Sequence, residues 1–443
     1  MTAFSETDSV RSWGRVTRPR HRVAYASWLD DVPDLIAQAA ANDSLLTVGC
    51  RRSYGDSCLN PGGCLLDLTR CDRLIGFDAT GGILKAEAGI SLDALLRFSV
   101  PRGFVVPVMP GTRHVTLGGM IANDVHGKNH HGSGTIGRWV RALELRRSDG
   151  STHLVSSERN AGLFAATIGG LGLTGTITWA EIELRQIDSA WLEVERIPFE
   201  TLDGFHALAA ESAGPWEHTV AWVDCLAEGP AVGRGLFMRA RHASDGGYGL
   251  AHGSLPMRLP IDLPAHLLNR YSLRLFNAAY MAAGRWGRRR YRQNLLPFFF
   301  PLDAVQDWNR GYGRDGFYQY QCVLPPESAE AAARALLKKI SGAGTGSFLA
   351  VLKTFGALAS PGMLSFPRPG TTLALDFPNR GDATSALLAS LDAIVTEARG
   401  RLYPAKDGRM PPAMFKDGYA RLGEFAAFVD PHYSSGFWRR VGQ

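Results

Sequence analysis

Residues 124–134 read DVHGKNHHGSG, three histidines and a lysine among glycines and an asparagine. Imidazoles and an amine at this density can bind a metal, move protons, or line the edge of a cofactor. His126, His130 and His131 offer an H-x3-H spacing, but no cysteine joins them and Asp124 is the only acid in the cluster. A zinc site wants a compact, closed ligand set. The stretch therefore reads as cofactor wall, with Asn123, Asp124 and His126 hydrogen-bonding the cofactor's edge, and no metal is expected.

Two more glycine-rich segments accompany it. VGCRRSYGDSCLN (48–60) follows a strand-like run, and PGTRHVTLGG (110–119) leads into the histidines. Loops of this kind present backbone N–H groups that can hold the oxygens of a pyrophosphate. Arg52, Arg113 and Lys128 add positive charge nearby. A third segment, GGLGLTGTI (169–177), contains GxGxxG from Gly170 to Gly175. A dinucleotide fingerprint needs a strand before it and a helix after it. Here "ERNAGLFAATI" before it reads as helix and "TGTITWAEIELR" after it as strand, so the motif is a helix-to-strand turn. Several such loops in one region still point to a large ligand touched in several places, as a dinucleotide would be.

The elements that must position these loops alternate strand and helix up to about residue 190. "DDVPDLIAQAAAN" is a helix with Asp30 or Asp31 available as N-cap and a proline in its first turn. "SLLTVG", "GCLLDLT" and "ILKAEAG" are strands, "SLDALLRFSVPRG" is a serine-capped helix, and "WVRALELRRSDGSTHLVSS" is a hairpin turned at Asp149-Gly150. From about 190 to 400 strands such as "HTVAWVDCL", "GFYQYQCVL" and "TTLALDFP" alternate with the helices "ESAEAAARALLKKI" and "ATSALLASLDAIVTEARG". That is α+β patterning in a second domain.

A chain of 443 residues with 45% hydrophobic and 20% charged content has room for two cores and is not disordered. Its net charge of +6 leans toward anionic partners. No helix-turn-helix, zinc finger or aromatic RNA-binding motif accompanies that charge, so nucleic acid is not expected. The six cysteines form no CxxC and read as reduced thiols. The polar opening MTAFSETDSVRSWGR lacks an apolar signal core, and no run is long enough to span a bilayer. The expected place is the cytoplasm, with peripheral contact at the inner membrane allowed.

Together RRSYGD, PGTRHVTLGGMIANDVHGKNHH, GGLGLTG, DWNRGYGRDGFYQYQ, FLAVLKTFG and LYPAKDGR resemble, in order and over nearly the whole chain, the decaprenylphosphoryl-β-D-ribose 2′-oxidase family. These are flavoproteins of the vanillyl-alcohol-oxidase superfamily. HGKNHH and YPAKD are specific to the family, whereas RSYGD and the glycine turns are shared with many sugar and lactone oxidases. The resemblance implies a PCMH-type FAD-binding domain over 1–190, an inserted α+β substrate domain of antiparallel sheet and helices over 191–400, and a segment 401–443 returning to the first. It implies FAD contacts at Thr47, Val48, Gly49, Cys50, Arg51, Arg52, Ser53, Tyr54, Gly55, Asp56 and Ser57. Further contacts fall at Gly111, at Thr116, Leu117, Gly118 and Gly119, at Asn123, Asp124, Val125 and His126, and at Ile177 and Tyr403. Superfamily members with covalent flavin carry a histidine where this chain has Arg52, so the FAD is expected to be non-covalent.

The implied reaction is oxidation of the 2-hydroxyl of a polyprenyl-phosphoryl pentose to a 2-keto sugar. It is the first half of an epimerisation in arabinan precursor synthesis for the cell envelope, completed by a separate NAD(P)H reductase. Such chemistry needs a base and groups that orient the sugar. Lys406 and Lys353 are the candidate bases, and the residues alone leave the choice open. Gln319 and Gln321 lie two apart, so a strand presents both on one face. Tyr54 and Trp222 can wall the site, with His126 and Lys128 toward substrate. Three departures from the family pattern bear on substrate: Phe299-Phe300 in place of Tyr-His, Ala374 in place of a cysteine, and Arg51 in place of a glycine. A soluble aldonolactone or sugar oxidase, and a flavin-binding redox protein without sugar turnover, are the alternatives. The basic stretch with Arg285, Arg288, Arg289, Arg290 and Arg292 reads as a surface for anionic lipid headgroups or a lipid-linked phosphate.

Overall fold

The computed structural model describes residues 3–41, 43–251, 257–287 and 289–442. Three sheets organise them. The first is four-stranded, in the order Ser5–Thr7, His21–Tyr25, Cys64–Asp67, Leu45–Val48, with its last three strands parallel. Parallel strands must be covered. The helix Val32–Ala40 does so with Val32, Leu35, Ile36 and Ala39, the spacing of one buried helical stripe. Asp31 stands at its N-cap position, but its carboxylate instead accepts the backbone N–H groups of Ser27 and Trp28.

The second sheet is antiparallel, in the order Leu74–Asp78, Ile83–Glu87, Thr176–Glu183, Val140–Arg146, Thr152–Val155. The hairpin turns at Gly150, whose φ of 82° only glycine adopts at no cost. The GxGxxG segment is the helix-to-strand turn read from the sequence, between Ala161–Thr167 and Thr176–Glu183.

The third sheet has eight antiparallel strands, in the order Arg290–Asn294, Trp191–Phe199, Gly235–His242, His218–Val223, Val351–Phe355, Gly370–Pro378, Phe317–Leu324, Arg401–Leu402. It runs two residues beyond the boundary read at 400. The helices Ala329–Gly342 and Asp382–Glu397 pack against one of its faces around Cys322, Leu352, Leu373 and Leu375. The opposite face is the wall of a cavity. The chain then returns to the first sheet: Ser434 N–H donates to Leu45 O at 2.9 Å, and Arg440 bridges Asp56 at 2.7 Å and Asp407 at 3.0 Å. All six cysteines are free. Among the described residues no helix is long and apolar enough to cross a membrane.

Candidate active site

A cavity of about 740 Å³ lies where the glycine-rich loops face the eight-stranded sheet. Clefts of this size hold cofactor-sized ligands. On the loop side, strand Leu45–Val48 ends at Gly49, which is pressed on Thr116. A Cβ at Gly49 would sit 2.0 Å from Thr116 Oγ1. Thr116 caps the helix Leu117–Ala122, its hydroxyl accepting Gly119 N–H at 3.2 Å. Gly111, by contrast, has nothing within 4 Å of its missing Cβ and opens onto the cavity.

Arg51 holds a φ of 50°, left-handed backbone that explains why a glycine is usual at that position. Its guanidinium pairs with the buried carboxylate of Asp67, which also accepts from Thr69 N–H at 2.9 Å. Arg52 lies over the Trp13 ring at 4.2 Å and donates Nε–H to His114 O at 3.2 Å. Two lining residues, Ser57 and His126, keep a buried polar atom (Oγ and Nδ1) with no hydrogen-bond partner. Such a deficit is what a cofactor's polar edge removes. The glycine cradle, the flanking arginines and these two atoms fit a dinucleotide.

Most of the residues expected at the cofactor line the cavity, and four do not. Gly55 faces the C-terminal segment, where a Cβ would meet Asp407 O at 1.5 Å. Asp56 is spent on Arg440. Leu117 is fully buried in the core of the loop region. Asp124, at φ 40°, turns its carboxylate inward onto Ser360 Oγ, Ser365 Oγ and Gly137 N–H. It fastens the loop rather than touching the cavity. Asp124→Asn removes a charge-assisted acceptor from a fully buried site, an effect of about 1–3 kcal/mol. A lower denaturation midpoint together with a lower flavin-to-protein ratio is the expected result, since Asn123 and His126 flank it on the cavity wall.

The three histidines diverge. His126 Nε2 lies 3.1 Å from Gln321 Nε2, His130 Nδ1 accepts Gly356 N–H at 3.2 Å, and His131 Nε2 reaches Trp216 O at 2.9 Å. Burial pushes His126 well below the usual imidazole range, so it is neutral and Nε2 accepts from the Gln321 amide. A separate group of Glu217, His218 and His242 lies within ligand distance, but Arg185 already holds both Glu217 oxygens, at 3.0 and 3.1 Å.

The sheet side follows from the period of two. Val220 and Trp222, Val351 and Lys353, Thr372 and Ala374, Gln319 and Gln321 come in alternating pairs from four adjacent strands and all line the cavity. Gln321 bonds Thr372 Oγ1 at 3.3 Å, and Gln319 bonds Asp376 Oδ1 at 2.8 Å. Asp376 carries no motif of its own in the sequence, although it lies two residues beyond Ala374 on the same face. Burial pushes its carboxyl up to about 7. Of the departures, Arg51, Phe299 and Ala374 line the cavity, while Phe300 packs into the loop-side core.

Three half-buried lysines converge here. Lys128 Nζ donates to Phe298 O, Lys353 Nζ lies 3.5 Å from Gly127 O, and Lys406 Nζ stands over the Tyr54 ring at 3.9 Å. Each rests on a carbonyl or a ring rather than a carboxylate. Burial pushes Lys128 and Lys406 down to about 7 and Lys353 to about 8; Lys353 lowers both neighbours further, while Asp376 raises Lys406. Amines partly withdrawn from water with little countercharge make a site that gains by taking an anion. A lysine near 7 can also act as a base at neutral pH.

Residues 21–156 match the family described as FAD binding domain. The whole chain is similar to the decaprenylphosphoryl-β-D-ribose oxidase of Mycolicibacterium smegmatis, 34% identical over 98% of this chain and 97% of that protein. The D-arabinono-1,4-lactone oxidase of Eremothecium gossypii is 24% identical over 43% of this chain and 37% of its own length. The D-lactate dehydrogenase of Anaerostipes hadrus is 27% identical over 32% of this chain.

Proposed function

Since the chain belongs to the decaprenylphosphoryl-β-D-ribose oxidase family, we propose that it oxidises the 2-hydroxyl of a polyprenyl-phosphoryl pentose to the 2-keto sugar, with FAD as cofactor. The observation that carries this reading is the trio of half-buried lysines facing one cavity with the two glutamines. Bound FAD would supply the two-electron acceptor for the hydrogen on C2 of the sugar. Everything else falls to the protein. Gln319 and Gln321 hold sugar hydroxyls from one face of their strand, with neutral His126 fixing the Gln321 amide. Lys406 takes the hydroxyl proton, because its amine rests on the Tyr54 ring, with no carbonyl on it among the described residues, and burial keeps much of it uncharged near neutrality. Lys128 and Lys353 hold the phosphate. Tyr54 and Trp222 wall the site. Arg52 carries a guanidinium, always protonated and not a nucleophile, so the flavin is held without a covalent bond.

The product needs a hydride on C2 and a proton on the oxygen to return to an alcohol of the opposite configuration, which calls for a separate NAD(P)H reductase. A neutral lactone would leave Lys128 and Lys353 without an anion, and the lactone oxidase likeness covers under half of the chain. A flavin-binding protein without turnover would have no use for Lys406 beside Tyr54.

The lysines give the test. Dye-linked turnover of farnesylphosphoryl ribose should exceed that of the uncharged farnesyl riboside by about a hundredfold in kcat/KM, the scale of two charge-assisted contacts. Equal rates on the two, or faster turnover of a neutral lactone, would remove the phosphate from the reading.

A further inference from the structure

The cavity has an apolar end. Val220, Trp222, Met238, Leu349 and Val351 line it there, and so does Tyr280 from the helix Arg270–Trp286. The rings of Trp222 and Tyr280 meet edge to face at 4.9 Å, and Tyr280 stacks on Phe276 with centroids 5.8 Å apart and planes 12° from parallel. Phe276 is already at the surface, beside Leu275. The three rings thus form a ladder from the cavity wall to the outside of the protein.

The outer face of that helix is apolar as well. Tyr271, Leu275 and Trp286 are 81%, 74% and 88% exposed. Together with Ala279 their positions, 271, 275, 279 and 286, fall on one side of a helix. Single exposed apolar residues are ordinary, but a row of large ones along one helix marks a binding surface. The arginines around it are largely engaged with acids of the same protein. Arg270 and Arg274 share Glu228, Arg285 meets Glu200, Arg290 meets Glu195 and Arg292 meets Asp245. Arg289 is exposed, and Arg288 lies outside the described residues. Beside the basic stretch, the exposed row on this helix is hydrocarbon.

We propose that the helix Arg270–Trp286 guides the hydrocarbon chain of the lipid-linked substrate: its first isoprene units lie along Trp222, Tyr280 and Phe276, and the rest leaves over Leu275. The proposal rests on the polyprenyl-phosphate reading of the site. The occupant is a chain rather than a folded partner because the ladder starts inside the cavity, at Trp222, and emerges as a single row of rings. Along this row a tail tethered to a phosphate among the lysines stays in contact with apolar rings from Trp222 to Phe276.

The test compares kcat/KM for decaprenylphosphoryl ribose and geranylphosphoryl ribose in the same detergent, for holoenzyme and for Leu275→Asp/Phe276→Asp. The wild type should prefer the long chain by about tenfold, and in the double variant the ratio should fall to about one. FAD content and melting temperature serve as controls. If the double variant loses FAD, Leu275→Asp alone, at a largely exposed position, makes the same comparison. A preference that survives in the variant, or its absence in the wild type, overturns the path while leaving the site reading intact. A wild type that turns over neither substrate overturns the site reading itself.

Discussion

Replacing Lys406 by methionine lowers kcat by about a thousandfold and leaves the bound flavin in place. The size follows from the loss of a positioned proton acceptor, typically worth a factor of about 10²–10⁴. Methionine keeps the bulk beside Tyr54 and removes only the amine, so the cavity wall is preserved. The pH dependence separates a base from a mere countercharge. Burial holds Lys406 down to about 7, and the reactive form is the neutral one. Wild-type kcat, read with the phosphate already held by Lys128 and Lys353, therefore climbs as pH rises through about 7, whereas the methionine variant lacks that limb. Asp376 opposes the burial effect by raising Lys406. Asp376→Asn removes that opposition, so Lys406 loses its proton more easily and the limb moves to lower pH. An unmoved limb in Asp376→Asn and a kcat within a few-fold of wild type in Lys406→Met would assign the base elsewhere, with Lys353 the next amine along the wall.

Gly49→Ala should yield colourless protein. The new Cβ would stand 2.0 Å from Thr116 Oγ1 and 2.9 Å from its Cγ2, well inside contact distance. Neither side retreats easily. Thr116 caps a helix whose Met120 and Ile121 are fully buried, and Gly49 directly follows the edge strand Leu45–Val48 of the parallel sheet. Losing the cap alone costs about 1 kcal/mol. The larger consequence is that two walls of the cradle move apart, and a flavin-to-protein ratio below about a tenth of wild type is expected. Adding Thr116→Ala to Gly49→Ala removes the two closest clashing atoms and should recover part of the flavin. Full flavin in Gly49→Ala would show that this contact does not shape the cradle.

Much of this site is legible in the chain because it depends on local rules. Gln319 and Gln321 share a face because strand side chains alternate, and the loops after Val48 and before Leu117 are set by glycines and a capping threonine. What was not legible depends on contacts between distant segments. Asp124 looked like a cofactor ligand among its neighbours, and only its left-handed backbone and the approach of Ser360 and Ser365 turn it inward. Gly55 and Asp56 belong to the same loop as Arg52, yet the C-terminal segment claims them. Asp376 acquires its role from the antiparallel register that sets it opposite Gln319. Tyr280 was not singled out, because a tyrosine in an arginine-rich helix carries no sign that it reaches a cavity. Arg51 was visible as a departure from glycine, but its pairing with Asp67 needed the fold.

The measurement that bears most directly on the whole account is the visible absorption spectrum of the purified protein, taken anaerobically before and after adding a polyprenyl-phosphoryl ribose. The account predicts an oxidised-flavin spectrum that bleaches with this substrate and is unchanged by free ribose or aldonolactones. A flavin that bleaches only with soluble sugars, or one that no sugar reduces, would contradict it.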